Sequence, residues 1–194
     1  MTDRIVNGIN VSKLFGTIDA IKQDGAIATF RFRADNRWRD GACYISRVEG
    51  FYGAKAEQPH SKPFEIEADE PPLLLGAGGS ANPVEYVLHG LAACLTTSMV
   101  YHAAARGIEI EEIESRLEGD LDLRGFLGMD QSIRNGYSGI RVSFRIKADA
   151  PDNVIAELAE LAKSRSPVFD IVTNGVPVAV SAERLRTDSA RRAA

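Results

Sequence analysis

The chain has 194 residues, 44% of them hydrophobic and 26% charged. That is enough for one globular domain with a real core. Its 23 Lys and Arg against 27 Asp and Glu leave a formal net charge of -4, which excludes the basic face of a nucleic-acid module. Two cysteines, Cys43 and Cys94, exclude a disulfide framework and fit a reducing, cytoplasmic compartment.

The opening decapeptide, MTDRIVNGIN, lacks the basic start and apolar run of a signal peptide. Ile9, Leu14, Ile18 and Ile21 recur at helical spacing, so residues 8–23 read as a helix stopped by Gly25. Alternation from Ala26 to Ala34 reads as a half-buried strand. A turn at Asp40-Gly41 leads to a second strand over 42–48. Prolines and the glycines Gly76, Gly78 and Gly79 break up residues 50–81, with a short strand expected near Phe64 to Glu67. Asn82 as N-cap, Pro83 at the first helical position and Gly107 as stop then bound a helix of about 24 residues, roughly 36 Å long. No Asp, Glu, Lys or Arg occurs from Leu88 to Ala105. His89, Thr96, Thr97, Ser98 and His102 interrupt that run, so it reads as a helix enclosed by protein and not as a membrane span. Long strands are expected over 108–123 and 140–148, a loop with Asn135-Gly136 between them, a helix from Pro151 through Lys163, and a last strand over Val176–Ser181.

Cys94 is the residue that points to chemistry. A cysteine on an apolar helix face is more often an inert core residue; a reactive thiol needs a cation, a histidine or a helix N-terminus beside it. Cys94 lies about three turns into its helix, so any activating group has to come from another element. His102 is eight residues further on, about 12 Å along the axis, and His89 points well away. Both read as packed at an interface. No spacing suggests a zinc site, and Gly76-Ala77-Gly78-Gly79-Ser80 lacks the Gly-Lys-Ser/Thr ending of a phosphate loop. Neither a metal nor a bound cofactor is expected.

The run Asn82-Pro83-Val84-Glu85-Tyr86-Val87-Leu88-His89-Gly90-Leu91-Ala92-Ala93-Cys94-Leu95 resembles the signature of the OsmC/Ohr family. Ser166-Pro167-Val168 followed by Gly175-Val176-Pro177-Val178 is similar to that family's second motif, in which Cys-Pro-Val leads to the final strand. The resemblance covers roughly residues 26–183, leaving 1–25 as an N-terminal helical extension and 184–194, with its four arginines, as a basic tail. It implies an α+β fold in which antiparallel sheets wrap long central helices in an intertwined homodimer.

The resemblance also implies a thiol-dependent reduction of organic hydroperoxides in oxidative-stress defence. Cys94 matches the peroxidatic cysteine. Glu85 looks like the motif glutamate, one place later than in the Ohr branch, where Val84 stands; this agrees with the OsmC-like branch. Nine residues is about 180° of helix, so a dipole-partner role for Glu85 in the first turn stays open. Arg39, in Arg39-Asp40-Gly41, is similar to the stretch that supplies the family's arginine. Ser166 stands where the resolving cysteine belongs, so unless Cys43 takes that role the resemblance implies either an external thiol reductant or loss of the peroxidase function. The alternative is a non-enzymatic dimer holding a small hydrophobic ligand in the cleft between subunits.

Overall fold

The computed structural model describes residues 3–185. Two short strands, β1 (Ile5–Val6) and β2 (Ile9–Asn10), pair antiparallel. Asn7 and Gly8 join them at φ 51° and 75°, the two left-handed residues that a tight hairpin turn demands. Asn10 then caps α1 (Val11–Gln23), its side chain accepting from the Lys13 amide at 2.9 Å. The helix expected from residue 8 therefore starts at Val11, because the hairpin takes its first turn.

The strand expected over 26–34 is mostly absent. The Asp24 carboxylate accepts from the Ala26 amide and caps a 3-10 turn over Gly25–Ala28; only β3 (Arg31–Phe32) pairs. After it come β4 (Asp35–Asp40), β5 (Cys43–Gly53) and β6 (Ala56–Ala68). The central strand is β5. Antiparallel β6 runs along one of its edges, while β3 and β4 share the other. Pro59 and Pro63 lie within β6, which its place at the sheet's edge allows.

A loop leads to α2 (Pro83–Arg106). Asn82 and Glu85 form a reciprocal capping box at its start, and Gly107, at φ 75°, ends it. Next are β7 (Ile110–Asp120), α3 (Leu123–Phe126), β8 (Gly139–Ala148), α4 (Asp152–Arg165) and α5 (Pro167–Thr173). The antiparallel pair β7–β8 aligns Ile113 with Ile146 and Leu117 with Val142. Residues Leu91, Leu95, Met99 and Ala103 form the buried stripe of α2, four residues apart as helical packing requires. Met99 and Ala103 meet Leu158 and Ala162 of α4, with Ile113, Phe144 and Ile146 closing the cluster from the sheet.

A smaller cluster of Val6, Val11 and Ala104 seats the N-terminal hairpin on the far end of α2. The Asn7 side-chain amide fastens it, donating to the Ile108 carbonyl at 2.9 Å and accepting from the Ile110 amide at 2.8 Å. The molecule is α+β with antiparallel sheets. Among the described residues no helix is long and apolar enough to cross a membrane. The last expected strand, Val176–Ser181, joins no sheet among the described residues. Val178 and Val180 are 78% and 90% exposed, an alternating segment without a neighbouring strand. The basic tail lies largely outside the described residues.

Candidate active site on the central helix

Cys94 is half-buried on α2. It follows Leu91 by three residues and precedes Leu95 by one, so it sits at the border of the buried stripe. Ala93 and Thr97 beside it are exposed. The thiol thus stands at the edge of a packed core, the partly exposed kind of position that a reactive cysteine occupies. Cys43 is the other free cysteine, half-buried at the start of β5 and paired across the strands with Asp40.

Glu85 and Cys94 do not meet within one chain. The helix between them is continuous, and nine residues carry it about 13 Å along its axis. The Glu85 carboxylate accepts from the Asn82 amide at 2.9 Å, and the Asn82 side chain accepts from the Glu85 amide at 2.9 Å. Glu85 is therefore occupied as a cap. Tyr137 lies close by: its hydroxyl donates to the Val84 carbonyl at 2.9 Å, and burial first, then the Glu85 charge, pushes its phenol pKa up. Gly119 makes room for this tyrosine, since a Cβ there would lie 2.5 Å from the ring.

Arg39, in β4, pairs with the Glu67 carboxylate at 3.3 Å, both side chains half exposed. Tyr86 donates its hydroxyl to the Glu67 backbone carbonyl. Glu67 thus links Arg39 to the first turn of α2, the end that Glu85 caps. The fold brings Arg39 and Glu85 to the same end of the helix and leaves Cys94 about two and a half turns further along.

Ser166 is 2% exposed and caps α5, accepting from the Phe169 amide at 3.1 Å. α5 packs on α2, so the helix that Ser166 caps lies against the cysteine helix. His102 is half-buried toward the end of α2; burial, then the positive charges of Arg106 and Arg165, lower its pKa. Among the described residues no three His, Cys, Asp or Glu side chains gather as a metal site would need.

Asp69, which sequence reasoning passed over, organises the loop before α2. It is 3% exposed, and its carboxylate accepts from the amides of Glu70 at 2.8 Å, Ala77 at 3.1 Å and Gly79 at 3.1 Å. These bonds, the one from Gly79 foremost, hold its pKa below the ordinary carboxylate value. The available signal was an acidic residue ahead of a glycine cluster, whose amides are free to converge on it.

A family model described as OsmC-like protein matches residues 76–181. No curated protein matches the chain. The fold is similar to the crystal structure of an OsmC-like protein from Mycoplasma pneumoniae, at 16% identity and TM-score 0.58 over 75% of this chain and 89% of that one. It is similar also to an OsmC-like protein of unknown function from Vibrio cholerae, at 12% identity and TM-score 0.56 over 72% and 92%. A third likeness is to an organic hydroperoxide resistance protein OsmC from Legionella pneumophila, at 17% identity and TM-score 0.50 over 74% and 90%.

Proposed function

The chain belongs to the OsmC-like protein family, and from that premise we propose that it is a thiol-dependent reductase of organic hydroperoxides, working as a homodimer through Cys94. The observation that carries this reading is the placement of Cys94 at the half-buried border of the α2 stripe. The printed name of the Legionella relative supports the substrate class.

In this reading the Cys94 thiolate attacks the terminal oxygen of the hydroperoxide. The O–O bond breaks, an S–O bond forms, and the alkoxide leaves with a proton as the alcohol, giving a sulfenic acid at Cys94. Ser166 has no sulfur to resolve it, so an external thiol attacks Cys94, water leaves, and a second thiol reduces the mixed disulfide. A dithiol supplies both electrons.

The homodimer explains what one chain leaves unfinished. Phe32 and Trp38 of the N-terminal sheet are 74% and 67% exposed, as are the strand-like valines near the C-terminus. Apolar surface on this scale calls for a protein partner, and a second copy also offers Cys94 the cation that its own chain keeps at the other end of α2.

The test is addition of an alkyl hydroperoxide followed by dimedone and mass spectrometry. Labelling at Cys94 and catalytic turnover with a dithiol are expected, both lost in Cys94→Ser. No labelling together with no turnover would sink the proposal. The capping role of Glu85 favours one second reading, a non-enzymatic dimer that binds a small hydrophobic ligand between subunits. Native mass spectrometry showing a bare dimer that consumes peroxide quickly removes it.

A further inference from the structure

The N-terminal end of α2, about three turns from Cys94, forms one side of a cavity of about 620 Å³ that Cys94 does not line. Its apolar walls come from the turn before α2, with Leu73, Leu74 and Leu75, and from α3 and its end, with Leu123, Phe126 and Leu127. The volume is that of a small-molecule site, and its concavity separates it from the flat apolar surface of the N-terminal sheet.

The leucine wall is pre-formed. Asp69 gathers the amides of Glu70, Ala77 and Gly79, which closes the loop on itself. Gly76 packs so tightly that a Cβ would lie 1.9 Å from the Glu70 carbonyl oxygen. Leu75 is held at φ 66°, in the left-handed region that a leucine rarely adopts, and it remains 94% exposed, with Leu73 at 90%. Leu75 closes the turn as its C-cap, its amide donating to the Pro72 carbonyl at 3.1 Å, so the turn itself fixes the wall.

The polar groups lining the cavity are Glu70, Asn82 and Asn135. The Asn82 side chain is spent on capping α2. Glu70 is half-buried, and among the described residues its carboxylate has neither a hydrogen-bond donor nor an ion-pair partner. No lysine or arginine occurs among the described residues that line the space. A fatty-acid carboxylate would therefore face a like charge, whereas an ammonium group would find an unpaired acceptor beside an apolar trough.

We infer that this cavity binds an amphiphilic amine, its hydrocarbon tail between the leucine turn and α3 and its ammonium group paired with Glu70. The site is separate from Cys94, and occupancy does not depend on peroxide chemistry.

Calorimetric titration of the full chain with dodecylamine and with dodecanoate, each below its micelle-forming concentration, tests it. One amine per chain is expected, bound at least about tenfold more tightly than the carboxylate, as a charge-assisted pair gives. Glu70→Gln should remove that preference while leaving thermal unfolding in place, and Cys94→Ser should bind the amine as the parent does. Equal or tighter binding of dodecanoate overturns the inference, as does an unchanged preference in Glu70→Gln. Binding of neither probe also overturns it, and assigns the leucine wall to a second copy of the chain.

Discussion

The helical layer and the N-terminal sheet solve burial differently. In the first, Met99, Ala103, Leu158 and Ala162 are all but inaccessible, roofed by Ile113, Phe144 and Ile146. In the second, Ala68 is the only hydrophobic residue to reach full burial among the described residues, while Phe32, Trp38, Phe64 and Ile66 stay open. The rings of Phe30, Phe32, Phe51, His60 and Phe64 follow one another at 4.8–6.0 Å, so the sheet is ordered by its own side chains but not covered by them. One half of the chain carries its own core; the other presents a face made to be completed.

Met99→Ala should have the largest effect, because nothing in the helical layer can collapse into the space it leaves. A loss of about 2–5 kcal/mol is expected in urea denaturation. A cost below about 1 kcal/mol would mean that this layer is as loosely filled as the sheet, and the contrast would fail.

The double substitution Phe32→Ser with Trp38→Ser probes the other half. If a second copy covers the sheet, each aromatic is a buried anchor and its truncation weakens association by at least about tenfold. Sedimentation should then show a dimer that dissociates on dilution, with the helical layer still folded. Unchanged mass at every concentration would show that the aromatic face is not what joins the copies.

Asp69→Asn acts in the loop that joins the N-terminal sheet to α2. The native carboxylate accepts three amides, and its pKa is lowered by them. A depressed folded-state pKa means stabilisation fully present above the unfolded value of about 3.9 and lost as pH falls through the lower folded value. Hydrogen exchange at Ala77 and Gly79 should speed up by about tenfold in Asp69→Asn at neutral pH, and in the parent only under acid conditions. Equal protection in both proteins at neutral pH would remove Asp69 from its role.

The same division governs what the sequence discloses. Asn82, Pro83 and Gly107 bound α2 to within a residue, since caps act locally, and β8 and α4 follow from their own periodicity. The N-terminal sheet is poorly legible. β4 is a run of exposed polar residues around Trp38, without alternation to read, and the prolines of β6 hide a strand of 13 residues. The Asn7-Gly8 turn was readable and outweighed by the helical spacing around it. α5 starts with Ser166-Pro167, a cap and a first-turn proline, but at seven residues it is too short to show a periodicity. Val176–Ser181 alternates as a strand does, yet pairing is a property of two segments, and its neighbour is not found among the described residues. For the site, the helix register fixes Cys94 relative to Glu85, whereas the Asp69 loop depends on amides that leave no pattern in side-chain types.

Glu85 offers the finest discrimination, because its two possible roles respond differently to one atom. As a cap it needs only an acceptor for the Asn82 amide, which glutamine supplies as well as glutamate. Glu85→Gln should therefore leave stability within about 0.5 kcal/mol, and Glu85→Ala should cost about 0.5–1 kcal/mol. If capping is the whole role, peroxide turnover and its pH profile stay as in the parent with glutamine. If the carboxylate of one copy also holds a cation at the Cys94 of the other, Glu85→Gln keeps the helix intact and still slows turnover as the cation is released. A folded Glu85→Gln protein with parental kinetics confines Glu85 to the helix end, and the activating group must then be sought on the uncovered sheet.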